Sequence, residues 1–136
     1  MNKKMMPIVI VIVVVAAIGA GVVLFVLNNS AEKPEARVEY SPGEFFTVNV
    51  KDAPTGRILR AGIVLIVNKD GLEDMLTEAN NRIRDTIIFI LRDLNEDDIN
   101  APGTQELLRD RIIMALNERL AIDNFVEVLF NDFVMA

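Results

Sequence analysis

The stretch ILRAGIVLIVN, Ile58 to Asn68, is apolar at every position from Ile63 to Val67. A strand that is apolar on both faces is usually central in a sheet or covered on both sides. Just before it, Phe46, Val48 and Val50 alternate with polar residues, which is the pattern of a half-buried strand. Only the segment KDAPTGR, with its turn-forming proline and glycine, separates the two strands. The sequence therefore predicts a β-hairpin.

A helix is predicted after the hairpin, from Leu72 to about Leu94. Its apolar residues recur at steps of three and four and form one stripe. The stripe consists of Leu72, Leu76, Ala79, Ile83, Ile87, Ile90, Leu91 and Leu94. Asp70 is predicted to cap this helix, with Glu73 favourably placed in its first turn.

The remaining segments predict a loop, a second helix and a last strand. NEDDINAPG, residues 95–103, is read as an acidic loop, and Thr104 as the N-cap of a helix that ends near Ala121. FVEVLFNDFVM, Phe125 to Met135, is β-branched and aromatic, as strands are. The order β-β-α-α-β indicates an α+β domain with helices packed on a small sheet. The last strand could pair with either earlier strand.

The second half of the first helix, within RIRDTIIFIL, carries more apolar surface than one core face requires. At about 100° per residue, Ile88 and Phe89 fall on either side of the stripe, more than about 100° from Ile83 at its centre. One interpretation is that the second helix or the last strand covers them. The other is that they contact a neighbouring subunit or partner, and we take them as candidate contacts of that kind.

The N-terminal part contains 21 consecutive residues without a charge, Pro7 to Leu27. As a helix, this segment spans roughly 31 Å, close to the thickness of a bilayer's hydrocarbon core. A cleaved signal peptide is the alternative, but its apolar region is normally only about 7–15 residues and no clear small-x-small site follows. We therefore predict a retained transmembrane helix. Lys3 and Lys4 then place residues 1–6 in the cytoplasm.

Small residues recur within this predicted anchor. Ala16 and Ala20, and likewise Ala17 and Gly21, are four positions apart, a spacing that lets two membrane helices approach closely. The pattern is equally typical of membrane helices in general, which are rich in alanine and glycine. After the anchor, residues 28–44 are polar, contain two prolines and predict a tether with no core of its own. The domain is then predicted to comprise residues 45–136.

Composition excludes most chemistry. Residues 28–136 contain 12 basic and 20 acidic side chains, a net charge of −8, so nucleic acid binding is not expected. The chain has no histidine and no cysteine, and its two serines, Ser30 and Ser41, both lie in the predicted tether. The acidic run from Glu96 to Asp98 lacks the ligand spacing of a calcium loop. We predict no catalytic, cofactor-binding or metal-binding residue, so the protein must act through its surfaces.

Several segments, in this order and spacing, resemble one known family. They are the short basic N-terminus, the single anchor, the acidic tether, EFFTVNVKD, IVLIVN, RIRDTIIFILRDL, GTQELLRDRIIMALNERL and VEVLFNDFVM. Together they are similar to FliL, the flagellar basal body-associated membrane proteins, over residues 3–135. The most distinctive parts are Arg84-Asp85 with the apolar run after them, the helix from Leu107 to Leu120 with Asn117, and the closing segment Phe130 to Met135.

This resemblance implies a single-pass protein of the cell inner membrane with a periplasmic domain similar to the stomatin-type (SPFH-like) fold. It also implies a homo-oligomeric ring around the stator units of the flagellar motor, with the peptidoglycan-binding stator subunit as the main partner. The ring would support torque, flagellar rotation and motility without catalysis. A stomatin-like scaffold for another membrane complex and a signal-cleaved secreted binding domain are the alternatives.

Overall fold

The computed structural model describes residues 3–29 and 35–136. The chain divides into two compact units, one ending at Glu35 and the other comprising Ala36–Ala136, and each is described by itself. Residues 1–2, in the predicted cytoplasmic N-terminus, and residues 30–34, in the predicted tether, lie outside the described residues. Ser30 is among them.

The first unit is a single helix, α1, from Met6 to Asn29. Every side chain described along it is exposed, including those of the small residues Ala16, Ala17 and Ala20. Among the described residues, this is the one helix long and apolar enough to cross a membrane, over Met6–Asn28. The predicted anchor lies within it. A continuous apolar surface of this length is stable in lipid, because a helix closes its own backbone hydrogen bonds.

The second unit is built on a sheet of four antiparallel strands. They are β1 (Val38–Tyr40), β2 (Phe46–Asn49), β3 (Ile58–Val67) and β4 (Phe125–Met135). β3 pairs with all the others: β4 runs along one edge, while β1 and β2 follow one another along the other. The predicted hairpin is β2–β3, and the last strand pairs with β3. The prediction of a central strand is confirmed.

Four helices lie between β3 and β4. They are α2 (Glu73–Glu78), α3 (Asn80–Arg92), α4 (Glu96–Asn100) and α5 (Thr104–Leu120). The α3 stripe is buried together with alternate residues of β3 and with a second stripe on α5. The fully buried positions include Leu59, Ile63, Leu65, Ile83, Ile87, Leu91, Ile112 and Leu116. One apolar core thus holds the helices on the sheet, and the α+β architecture is confirmed.

Part of residues 28–44, predicted as a tether with no core of its own, belongs to the sheet, namely Val38–Tyr40. These three residues form β1, opposite Leu65 to Val67 of β3. Val38 and Tyr40 are half-buried and pack on the core. The alternation of three residues is too short to predict a strand from sequence.

The predicted helix from Leu72 to Leu94 is divided at Ala79. The Tyr40 hydroxyl lies at this break, 3.0 Å from the carbonyl oxygen of Leu76 and 2.8 Å from the side-chain oxygen of Asn80. The predicted cap is also wrong, since Leu72 occupies the N-cap position and no side chain caps the helix. A hydroxyl from a strand 36 residues earlier thus sits where the pattern indicated an unbroken helix.

The predicted acidic loop contains α4. Asn95 and Asp98 cap it reciprocally: the Asp98 N–H donates to the Asn95 side chain at 2.8 Å, and the Asn95 N–H donates to the Asp98 carboxylate at 3.0 Å. Thr104 is not the N-cap of α5, because Gly103 takes that position with φ of 79°. The Thr104 hydroxyl instead donates to the carbonyl oxygens of Asp98 and Ala101.

Arg84 of α3 holds the chain between β1 and β2. Its guanidinium donates to the carbonyl oxygens of Pro42, at 3.0 Å, and Phe45, at 3.5 Å. It also lies 4.4 Å from the ring centre of Phe46, in cation–π geometry. Gly43, with φ of 150°, lies against the guanidinium, where a Cβ would overlap it. Arg84 therefore holds in place the segment that separates β1 from β2, the two short strands on one edge of β3.

Replacing Arg84 with Lys should lower the free energy of unfolding by about 1–2 kcal/mol, because an ammonium cannot reach two carbonyls and stack on the ring together. The measurement is urea unfolding of the full chain in detergent, followed by the fluorescence of Tyr40. Arg82→Lys, on an exposed position of the same helix, is the control and should change stability by less than about 0.5 kcal/mol. Equal stabilities of the two variants would contradict the assigned role.

Candidate functional site

The outer surface of α3 and α5 carries three exposed large apolar side chains, and we call this surface the helical face. They are Phe89 on α3, 75% exposed, and Leu107 and Met114 on α5, 72% and 68% exposed. They are the three most exposed large apolar residues between Ala36 and Ala136. Aromatic residues and methionine are enriched in protein interfaces. The helical face is therefore the candidate functional site.

Two ion pairs show how the helices run. Asp93, the residue after α3, lies 3.4 Å from Arg111 of α5, and Asp85 of α3 lies 3.7 Å from Arg119. From the first pair to the second, the residue number falls by eight on the α3 side and rises by eight on α5. The two helices therefore lie side by side and antiparallel. Phe89, halfway between the two aspartates, is level with Ala115. A small residue on α5 leaves the aromatic ring uncovered from that side.

Shallow grooves surround Phe89 and join across the face. One, of about 620 Å³, lies between the helices and is lined by Phe89, Ala115 and Arg111 among others. A second, of about 540 Å³, is lined by Leu107 and Met114 and also by Arg111. Both grooves are lined by Arg111, so they adjoin each other at this residue.

The carboxylate of Asp93 is the most strongly paired charge on the helical face. The Lys51 ammonium donates to one of its oxygens at 3.1 Å, and the Arg111 guanidinium lies 3.4 Å from the other. The hydrogen bond from Lys51, followed by that from Arg111, lowers the pKa of Asp93. The same hydrogen bond raises the pKa of Lys51. Lys51 and Asp93 therefore stay charged and paired near neutral pH.

The two residues singled out in the sequence differ in their surroundings. Ile88 is half-buried and packs on the core, so the chain itself covers much of it. Phe89 is exposed, and neither α5 nor β4 covers it. Both line a third groove, of about 400 Å³, with Lys51 and Arg92. Their role as oligomer or partner contacts stays a prediction, as does the role of the small residues on α1.

Sequence reasoning did not identify Leu107 and Met114 as surface residues of interest. They lie seven residues apart, two helical turns, and therefore on one side of α5. Each is displaced from the buried series Leu108, Ile112 and Leu116. The sequence shows two apolar residues outside the buried stripe of this helix. Single exposed apolar residues are common on protein surfaces, so this pattern alone does not indicate a binding surface. Only the position of α3 beside α5 groups them with Phe89.

The helical face has the chemistry of a binding surface. Charged residues flank its apolar side chains, and several of them form ion pairs with one another. The described residues contain no group of three potential metal ligands. Asp98, part of the acidic run in the sequence, is occupied in capping α4. Exclusion of water from the apolar side chains is the interaction this surface can offer, with ionic contacts at its rim.

The model of one protein family, flagellar basal body-associated protein FliL, matches residues 40–135. The match covers β2, β3, β4 and all four helices of the second unit, and it begins at Tyr40, the last residue of β1. It includes Arg84, Phe89 and the paired charges Lys51, Asp93 and Arg111. No curated protein sequence matches the chain.

Replacing Asp93 with Asn should destabilise the domain in a pH-dependent way. A carboxylate whose pKa is lowered on folding adds stability above its unfolded pKa, about 3.9 for Asp, and loses this contribution as the pH falls through its folded value. The difference in unfolding free energy between wild type and Asp93→Asn should therefore be largest near pH 7 and vanish in acid.

Urea titrations of the full chain at pH 7 and at about pH 3 test this prediction. Asp110→Asn, which removes a negative charge from the same face without breaking an ion pair of the described residues, is the control. A difference between wild type and Asp93→Asn that is the same at both pH values would contradict the ionic assignment.

Proposed function

The chain belongs to the FliL family of flagellar basal body-associated proteins, and from this premise we propose that it supports the stator units of the flagellar motor. In this proposal it is a single-pass protein of the cell inner membrane. Its second unit lies in the periplasm and assembles with further copies into a ring around the stator. The protein acts by contact rather than by catalysis, and it favours torque generation and therefore motility.

The proposed topology rests on α1 and the residues before it. α1 is long and apolar enough to span a bilayer, and the sequence before it carries Lys3 and Lys4. Positive charges next to a membrane helix favour the cytoplasmic side, so we place the N-terminus there and the second unit on the other side. Ala16, Ala17, Ala20 and Gly21 are exposed on α1 and would allow anchors of neighbouring copies to approach.

The observation that carries the proposal is the helical face within a domain matched to this family. Three large apolar side chains are exposed together on this face. A partner that covers them removes their apolar surface from water, which lowers the free energy of the complex. We propose that the partners are other copies of the chain and the peptidoglycan-binding stator subunit. The net charge of −8 on residues 28–136 disfavours nucleic acid.

A complementation experiment with Phe89→Glu tests the proposed function. Deleting the gene should reduce spreading in soft agar while flagella remain, and the wild-type gene should restore it. Phe89→Glu should accumulate in the membrane at the wild-type level without restoring motility. Its melting temperature should stay within about 2 °C of wild type, since Phe89 is exposed and surface substitutions change stability little.

Asn81→Glu, which adds the same charge at another exposed position of α3, is the matched control and should restore motility. Normal motility of the deletion strain would contradict a flagellar role. Full activity of Phe89→Glu would show that the helical face is not the working surface.

A further inference from the structure

We propose that the helical face is covered by the same face of a second copy. Phe89 and Arg92 on α3 of one copy contact Leu107, Met114 and Asp110 on α5 of the other, and the contact is made twice. This inference rests on the proposed self-association of the protein. It identifies which surface of the neighbouring copy receives Phe89.

Because α3 and α5 lie side by side, the face of one copy can lie on the same face of another. Suppose that a second copy faces the first and is turned by half a rotation about an axis parallel to the helices. Its α5 then lies over α3 of the first copy, and its α3 over α5. Since Phe89 is level with Ala115, each Phe89 ring meets Ala115 and Met114 of the other copy. The groove beside Met114, about 540 Å³, offers apolar walls for it.

The charges at the two ends of the face match in the same arrangement. Arg92 beside Phe89 and Asp110 beside Met114 are both exposed, and neither has an ion pair within the described ranges, 3–29 and 35–136. By the correspondence between the helices, Arg92 is level with Ile112, two residues or about 3 Å along the axis from Asp110. The half rotation therefore brings each Arg92 next to the Asp110 of the other copy.

A second copy suits the charge balance of the face better than a strongly charged partner would. The three grooves are lined by four cations, Lys51, Arg92, Arg111 and Arg119, and by five anions, Asp85, Asp93, Asp98, Asp110 and Glu118. Most of these charges already pair within the chain. The face is thus nearly neutral within an acidic domain, so two copies can approach there with little repulsion.

A reciprocal contact of this kind closes when two copies have joined. Each copy contributes the same patch, and no half of it is left for a third. In the proposed ring, this contact therefore forms pairs, and a different surface connects one pair to the next. The pair also gives each Phe89 a covered environment that the single chain does not provide.

Charge exchange tests the contact in the full chain, purified in detergent and studied by sedimentation velocity. Arg92→Asp and Asp110→Arg should each weaken self-association by about tenfold, because each places like charges opposite one another. The double variant restores opposite charges, so its self-association should return to within about twofold of wild type. Lys69→Asp and Asp123→Arg, exposed residues outside the helical face, are the matched charge controls and should not weaken it.

Cysteine cross-linking tests the same contact in membranes, since the natural chain has no cysteine. One tagged copy carries Arg92→Cys and a differently tagged copy carries Asp110→Cys, which leaves Phe89 in place. Mild oxidation should link the two tags into a dimer. A matched pair with Glu73→Cys and Asn49→Cys, also exposed, should link at least tenfold less and controls for chance collisions.

The contact is refuted if the double variant associates no better than the single variants, or if the Arg92/Asp110 pair links no more than the control pair. These failures differ from failure of the proposed function. A wild-type chain that stays monomeric would contradict the proposed self-association itself. If the wild-type chain associates but the double variant is not rescued and the Arg92/Asp110 pair does not cross-link, only this particular contact is contradicted.

Discussion

The structure depends on the pairing of β3 with every other strand of the sheet. Alternate side chains of β3 from Leu59 to Val67 are almost fully buried and form the floor on which α3 and α5 pack. β4 follows the strand along nearly its whole length, although the register shifts next to Gly62. The side chain of Asn131 lies so close there that a Cβ on Gly62 would overlap it. The apolar strand thus positions both the helices and the last strand.

Two side chains connect the segment after α1 to α3, the helix that carries Phe89. Tyr40 in β1 reaches the start of α3, and Arg84 in α3 reaches the chain between β1 and β2. β1 pairs over only three residues, too few to hold the segment strongly on backbone hydrogen bonds alone. These side-chain contacts therefore fix the segment that follows α1 to the helix that carries Phe89.

The parts of the fold that depend on local pattern were predictable, and those that depend on distant contacts were not. Alternation predicted β2, the apolar run predicted β3, and the apolar stripe of the first predicted helix predicted the buried residues of α3. By contrast, β1 exists because β3 offers an edge, and the break at Ala79 lies under a hydroxyl from β1. The candidate site shows the same division. Phe89 was visible as excess apolar surface on one helix, whereas Leu107 and Met114 acquire meaning only when α5 lies beside α3.

The position of the protein in the cell tests the central claim most directly, namely that an anchored, non-catalytic domain works at the flagellar motor. A fluorescent protein fused to the N-terminus, on the proposed cytoplasmic side, can be imaged together with labelled flagella. The account predicts foci at the flagellar bases that are lost when the stator genes are deleted. A uniform distribution along the membrane in motile cells, unchanged by removal of the stator, would contradict it.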